Sequence, residues 1–248
     1  MMKYVFILFP ALLIAQPQSE ILFLQKYQKA TLLNGTSQAW SSANSTSLNL
    51  DGNDAMIVTV AKTTGTGEMV IVGRLVPYTP LVKMWFLGFN SSKIRFRLQD
   101  GVVPSGVIAT STNNWNDGKY HLIIGTIDRD GNATIYVDGV SDGSASIAAL
   151  AGTDTTLGLG VGARSNVAAT WFNGNIGAIQ IVKYSALPTD IASVIKQIAN
   201  TWQKTGLPSS YTGGNIIASY DWKSGGFDKS GNGNHLYPAG NPTIVNAK

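Results

Sequence analysis

The feature that most constrains this chain is a side-chain period of two that recurs along most of its length. Clear examples are the alternating residues Met56, Val58 and Val60 and the alternating residues Ile94, Phe96 and Leu98. The same pattern is found in 68–75, 82–89, 120–128, 133–137, 156–161 and 176–184, with clusters of Gly, Asn, Asp and Pro between these segments. Alternation is typical of strands with one buried face. Many short strands separated by turn residues predict a β-sandwich or a β-barrel.

One segment has the helical period instead. Residues 188–190 (Pro-Thr-Asp) supply a start signal, and Gly206 and Pro208 supply a stop. Between them, apolar residues recur on one helical face: Ile191, Val194, Ile195, Ile198 and Trp202. The sequence therefore predicts one amphipathic helix, 189–205, which packs against the β-sandwich or shields one end of it.

The stretch 116–140, NDGKYHLIIGTIDRDGNATIYVDGV, contains two alternating segments set between Asp-Gly turns. Glycine accepts the positive φ that tight hairpin turns require, so this stretch predicts a β-hairpin. We expect alternate residues of its first strand to point inward, namely Tyr120, Leu122, Ile124 and Thr126.

This hairpin resembles the laminin-G-like domains of the concanavalin A-like lectin/glucanase superfamily. The residues that carry the resemblance are Trp115, Asp117, Gly118, Tyr120, His121, Thr126, Asp128, Gly131, Tyr136, Val137, Asp138 and Gly139. Two further segments, 31–50 and 174–195, are similar to the same family, although Asp190 stands where the family usually has Glu. The resemblance implies an all-β fold, a jelly-roll sandwich of two antiparallel sheets, as a single domain over 31–248.

The segment 216–245 resembles the part that normally opens such a domain, yet here it follows the helix. Three explanations remain open. The domain is circularly permuted and completes its own sheet, or it donates this strand to a neighbouring subunit, or the segment is a truncated second repeat. We favour self-completion because the termini of such domains often lie close together. The candidate assembly residues are Ile216, Ile217, Tyr220 and Trp222.

Residues 1–30 are predicted to be a secretory signal peptide or an apolar assembly arm. Lys3 precedes the apolar run 4–15, and a polar stretch follows it, which is the order found in signal peptides. The run is shorter than the roughly 20 residues that span a bilayer as a helix, so no transmembrane span is predicted. We expect the protein to be extracellular, on a cell surface or on a virion surface.

Composition restricts both the partners and the chemistry. The formal net charge is only +4, without a run of like charges, so no nucleic-acid partner is predicted. The chain has no Cys and two His. Retaining glycosidases need two carboxyl groups about 5 Å apart, and the only glutamates, Glu20 and Glu68, do not form a glucanase motif. The sequence therefore predicts a protein that is not an enzyme.

Two sets of residues are candidate ligand contacts. Lys93, Arg95 and Arg97 alternate along one strand, where they can bind sulfate, phosphate or carboxylate groups. The simpler explanation is a solvated face that discourages edge pairing. Trp171 and Asn173 lie on a Gly-rich loop, where the indole ring can stack on a sugar or pack against the protein.

Calcium is the one cofactor that the resemblance leaves open, because such domains often bind it through loop oxygens. The available oxygen ligands are Asp51, Asn53, Asp54, Asp128, Asp130, Asn132, Asp138 and Asp142. Their spacing assigns no metal site, and turn formation explains each of them.

These observations predict a non-catalytic surface module with glycan recognition, serving as a structural or adhesive subunit of an extracellular or virion surface assembly. Its partners would be glycans or neighbouring subunits, with strand exchange through the C-terminal segment. The alternatives are a secreted lectin that acts alone and a glycoside hydrolase, for which the sequence supplies no recognisable carboxylate pair.

Overall fold

The computed structural model describes residues 29–75, 82–102, 106–164 and 170–247. The predicted signal or arm, 1–30, lies outside them except for Lys29 and Ala30, which begin the first strand. The strands are β1 (Lys29–Asn34), β2 (Ala39–Ser41), β3 (Asp54–Thr63), β4 (Met69–Arg74), β5 (Lys83–Asn90), β6 (Lys93–Asp100), β7 (Val107–Thr110), β8 (His121–Ile127), β9 (Asn132–Val137), β10 (Val140–Ser146), β11 (Gly160–Val161), β12 (Asn173–Tyr184), β13 (Gly214–Tyr220), β14 (Tyr237–Ala239) and β15 (Thr243–Asn246). One α-helix, α1 (Ile191–Thr205), follows β12, and a 3-10 turn spans Thr46–Leu48.

The strands form two antiparallel sheets that face each other, so the predicted all-β sandwich is confirmed. The eight-stranded sheet has the order β10-β9-β8-β3-β12-β1-β15, with β13 also paired to β12, and the seven-stranded sheet has the order β14-β2-β11-β4-β5-β6-β7. Alternate side chains of both sheets, such as Ile57, Phe96 and Ile179, meet in one core. This is the two-layer arrangement that alternating strands require.

The central strands are buried on both faces, which corrects the expectation of one buried face. Ile57 and Ile123 point into the core between the sheets. Met56, Leu122 and their alternate neighbours instead form a second apolar layer beneath the helix. Leu122 and Ile124 were predicted to point into the core between the sheets. That direction was wrong: they point to the outer face of the sheet, which α1 covers and buries.

The helix begins at Ile191, two residues later than predicted, and ends at Thr205. Its buried residues are Ile195, Ile198 and Trp202, which pack on the outer face of the eight-stranded sheet. Gly206 ends it with a φ of 79°, a conformation that glycine adopts without strain.

The predicted strand 156–161 is mostly irregular, since only Gly160–Val161 pairs. The cause is the buried side chain of Arg74, which donates to the carbonyl oxygens of Thr155 and Leu157. Those carbonyl groups bind a guanidinium rather than a neighbouring strand. The sequence also did not predict the edge strand β10, whose residues are mainly small or polar.

The C-terminal segment contributes to both sheets of its own chain. Strand β13 pairs with β12, β14 pairs with β2, and β15 pairs with β1. Within the described part of the chain, no helix is long and apolar enough to cross a membrane.

Candidate functional site

An open cleft lies where strand β12 changes partners. Along one edge of β12, β1 pairs as far as Ile176 and β13 pairs from Ile179 onward. Gly177 and Ala178 fall between them, at a bulge that also shifts the register against β3. The carbonyl oxygen of Gly177 accepts a hydrogen bond from Trp222 Nε1 at 2.5 Å. Two strands that share one edge therefore leave a gap, and this gap becomes the floor of the cleft.

The cleft has a volume of about 600 Å³. Its floor includes Val60, Ala178 and Ile216, and one wall is the end of α1 with residues 206–209. Residues 219–221, Lys223, Lys229 and Ser230 also line the cleft, together with Lys29 and Ala247. The volume lies within the usual range of ligand pockets, roughly 300–1,000 Å³.

The charge of the lining is strongly one-sided. Four lysines line it, Lys29, Lys204, Lys223 and Lys229, together with one carboxylate, Asp221. Lys229 forms an ion pair with Asp221, and Lys29 Nζ donates to Asn246 Oδ1 at 2.7 Å. Lys204 and Lys223 are exposed, and no hydrogen bond or ion pair of either ammonium group is found among the described contacts. The cleft therefore presents a positive surface with two ammonium groups available to a ligand.

A hydrogen-bond network fixes the wall beside the helix. Gln180 Nε2 donates to the carbonyl oxygen of Pro208 at 2.8 Å, and Gln180 Oε1 accepts from Tyr211 Oη at 2.6 Å. Burial raises the pKa of Tyr211, so its hydroxyl remains a donor throughout the neutral range. The loop after α1 is thereby tied to β12, which holds the cleft open.

The three cations predicted on one strand face do share a face of β6, opposite the core residues Ile94, Phe96 and Leu98. Strand β6 lies between β5 and β7, so these cations do not protect a sheet edge as expected. Lys93 Nζ donates to the carbonyl oxygen of Thr112, and Arg97 Nη2 donates to Gln99 Oε1 at 3.0 Å. Anion binding by Lys93, Arg95 and Arg97 stays a prediction.

Trp171 and Asn173 lie at the start of β12, on the other sheet from those cations. Trp171 is half-buried and Asn173 is exposed. The Asn173 carbonyl oxygen accepts from Thr63 Oγ1 at 2.6 Å, which anchors the loop to β3. Sugar stacking on Trp171 stays a prediction.

The four predicted assembly residues lie on or next to β13. Ile216 and Tyr220 line the cleft, and Ile217, Tyr220 and Trp222 are buried in the core of their own chain. Trp222 packs on Trp40 with ring centroids 5.3 Å apart, which joins the C-terminal segment to β2. Strand exchange stays a prediction.

His121 supports the hairpin turns. Its Nδ1 lies 2.7 Å from Asp138 Oδ2 and its Nε2 lies 3.0 Å from Asp117 Oδ1. The hydrogen bond with Asp138, and more weakly that with Asp117, raises the pKa of His121. Asp138 also accepts the backbone N–H of Leu122 at 2.9 Å. Both ring nitrogens are occupied, so the arrangement is that of a structural histidine.

The loop carboxylates proposed as calcium ligands mainly accept N–H groups. Asp51 accepts the backbone N–H of Asp154 at 3.1 Å, and Asp154 accepts that of Asp51 at the same distance. Asp54 accepts the N–H groups of Arg129 and Leu187. In the described ranges, no group of three or more acidic or histidine side chains is placed to hold a metal ion. These carboxylates accept N–H groups of the protein instead of converging on one point. Calcium binding stays a prediction.

Sequence reasoning missed the cleft lysines. Lys204 belongs to the last turn of α1, Lys223 and Lys229 flank a turn, and Lys29 begins β1. Each looks like an ordinary surface cation in the sequence. The available signal was the sparse acidic content between 190 and 248, which includes only Asp190, Asp221 and Asp228.

Comparison with known proteins agrees with this fold. Residues 78–192, a little under half of the chain, match the model of the concanavalin A-like lectin/glucanases superfamily. No curated protein matches by sequence.

Three solved structures illustrate the likeness. A Bacteroides ovatus protein described as carbohydrate-binding is 15% identical with a TM-score of 0.61, and the match covers 90% of this chain and 61% of that protein. The heptameric SAP-like pentraxin of Limulus polyphemus is 10% identical with a TM-score of 0.59, covering 89% and 95% of the two chains. Domains LG4-5 of the mouse laminin α1 chain are 20% identical with a TM-score of 0.50, covering 62% and 40%.

This chain therefore spans about three fifths of the Bacteroides ovatus protein. At these identities the likeness concerns the fold. The family match over 78–192 and the two-sheet architecture agree with each other, and they confirm the resemblance first seen in the hairpin. Residues 78–192 therefore match the concanavalin A-like lectin/glucanases superfamily, and the described chain has a two-sheet fold that agrees with this match.

Proposed function

We propose that this protein is a non-catalytic carbohydrate-binding module that takes an acidic glycan in the basic cleft. The single observation that carries the proposal is a cleft of about 600 Å³ lined by four lysines and one aspartate. The carbohydrate-binding description of the Bacteroides ovatus protein supports the choice of ligand class. Proteins of this fold have different functions, so the argument depends on the cleft itself.

The lining matches the groups of an acidic sugar. Val60, Ala178 and Ile216 supply apolar surface for the C–H faces of a pyranose ring, and Ser209, Ser219 and Ser230 supply hydroxyl groups. Lys204 and Lys223 supply ammonium groups for a carboxylate or a sulfate, where charge-assisted hydrogen bonds form. A neutral sugar would leave these charges unused.

The same lining argues against glycoside hydrolysis. The mechanism needs two carboxyl groups on opposite sides of the scissile bond. Among the described residues that line the cleft, Asp221 is the only one with a carboxylate side chain, and it forms an ion pair with Lys229. One carboxylate cannot supply both of the carboxyl groups that the mechanism needs.

A glycan array followed by calorimetry tests the proposal. The array pairs acidic oligosaccharides with neutral ones of the same length, and we expect the acidic members to bind more tightly. Replacing Lys204 and Lys223 by glutamine should weaken binding by up to about thirtyfold, because each partly solvated charge contributes up to ~1 kcal/mol. The matched control is Lys196→Gln, an exposed lysine of the same helix that does not line the cleft.

Salt gives a second readout. Raising the ionic strength about tenfold, for example from about 0.05 to about 0.5 M, should weaken glycan binding by the wild type more than glycan binding by the double variant. Equal affinities of the double variant and the Lys196→Gln control would contradict the assignment of the cleft. Turnover of any glycan would contradict the non-catalytic function.

We further propose that the protein works outside the cytoplasm, on a cell or virion surface, as a subunit of an adhesive assembly. The apolar run 4–15 supports export. Because the C-terminal strands pair within their own chain, an assembly by strand exchange requires these pairs to open. Light scattering on the full chain tests this: a stable oligomer that dissociates when β13 is tied by a disulfide to β12 of its own chain supports exchange, and a monomer contradicts it.

A further inference from the structure

A second surface of the C-terminal segment has the features of a ligand site. Phe227 is 53% exposed and Tyr237 is 64% exposed, although large aromatic side chains usually bury most of their area. The rings of Phe227 and His235 are stacked, with centroids 4.5 Å apart and planes at 24°. We call Phe227, His235 and Tyr237 the aromatic ledge.

The local backbone places these three residues on one side. Leu236 N–H donates to the carbonyl oxygen of Gly226 at 2.8 Å, which brings the two segments side by side. Gly226 and Leu236 are buried, and a Cβ on Gly226 would collide with the Leu236 carbonyl oxygen. Phe227 and Tyr237, which directly follow these two buried residues, are exposed and His235 is half-buried, so the three side chains lie on the outer side of the two segments.

The hydrogen bonding of His235 adds a polar group to the ledge. Its Nδ1 accepts the backbone N–H of Asp228 at 3.0 Å. A neutral imidazole that accepts at Nδ1 carries its hydrogen on Nε2. No partner of Nε2 is found among the described contacts, so this N–H is available to a hydroxyl oxygen of a ligand.

The sheet edge beside the ledge does not favour another strand. Strand β14 is the outermost strand of the seven-stranded sheet, is three residues long, and has Pro238 at its centre. Proline lacks the N–H that a neighbouring strand needs, and short proline-containing edges discourage pairing between sheets. The ledge therefore suits a ligand that contacts flat rings and one N–H donor.

We propose that the aromatic ledge is a second carbohydrate subsite, which binds neutral pyranose sugars. The C–H face of a pyranose packs on aromatic rings, and a ring hydroxyl accepts from the imidazole N–H. The ledge residues do not line the basic cleft, and the ledge itself has no charged side chain, which separates its ligand from the acidic sugar of the cleft. This inference rests on the proposed carbohydrate-binding function.

The test uses the full chain and a panel of neutral oligosaccharides, with ¹⁵N-labelled histidine as a local probe. We expect binding to shift the His235 ring resonances, and Phe227→Ala with Tyr237→Ala to weaken it by about tenfold or more, since each aromatic contact contributes several-fold. The control is Val140→Ala, another exposed apolar side chain, on the other sheet. Both ledge side chains are exposed, so the variants should unfold at the wild-type temperature.

The outcomes separate this inference from the function of the cleft. The ledge proposal is wrong if neutral sugars bind the ledge variant and the wild type equally. It is also wrong if only acidic glycans bind the chain. If the chain binds no sugar of either class, the proposed function and the ledge both fail. Loss of neutral binding in the ledge variant, with acidic binding retained, supports both sites.

Discussion

Trp222 provides the strongest test of how the C-terminal segment is held. Its side chain is 1% exposed, packs on Trp40, and donates to the Gly177 carbonyl oxygen. Truncation of a buried tryptophan to alanine costs about 3–5 kcal/mol. The carbonyl group left without its donor adds roughly 1 kcal/mol or more. The variant Trp222→Ala should therefore lose about 4–6 kcal/mol, a large part of the stability of a typical domain.

The assay is thermal unfolding followed by circular dichroism. For a chain of this length each kcal/mol lowers the Tm by roughly 2–4 °C, so we expect Trp222→Ala to unfold about 10–20 °C below the wild type. Trp222→Phe keeps a six-membered ring but loses the N–H donor and part of the indole volume, so its Tm should fall by less than that of Trp222→Ala. The matched control is Phe227→Ala on the same segment, which should lie within about 2 °C because its ring is already half exposed.

Two results would refute this reasoning. One is a Tm of Trp222→Ala within about 3 °C of the wild type, which would mean that the segment contributes little to the fold. The other is a wild-type Tm that rises with protein concentration, since that dependence indicates segments exchanged between chains. Pairing within one chain predicts the same Tm at every concentration.

Three further perturbations are predicted together. Arg74→Met leaves four acceptors, bound in partly buried hydrogen bonds, without their donor, so urea denaturation should show a loss of about 3 kcal/mol. Gly88→Ala pushes a Cβ against a backbone carbonyl of the adjacent strand, which should lower the Tm in a thermal scan by about 5 °C. The raised pKa of His121, due first to Asp138, contributes stability that is complete below the unfolded value of about 6.5 and is lost as the pH rises through the folded value. The Tm difference between wild type and His121→Gln should therefore be largest in mild acid and shrink toward alkaline pH.

Local sequence patterns predicted most of the regular elements but not all of them. The alternation in 56–60 and 94–98 correctly predicted strands β3 and β6, and the helical period correctly predicted α1, because these patterns depend only on near neighbours. The strand expected at 156–161 failed for a non-local reason: the Arg74 guanidinium from β4 binds the carbonyl groups of Leu157, within this segment, and of Thr155, just before it. Local propensity contains no information about such a partner.

The candidate site was less accessible to sequence reasoning than the fold. The cations of β6 and the ring of Trp171 were noticed because they stand in short recognisable patterns. The aromatic ledge was missed because the rings of Phe227 and His235 stack only when a turn brings their segments side by side.

The sequence by itself determined the strands, the turns, the single helix and the family resemblance, since side-chain periodicity and glycine placement act over a few residues. Only the tertiary structure decided which faces are buried, because the helix covers strands distant in the chain. It also decided where the cleft forms. Lys29 and Lys223 lie at opposite ends of the described chain, and they line one surface because β1 and β13 share an edge of β12. That shared edge depends on how the whole sheet is assembled.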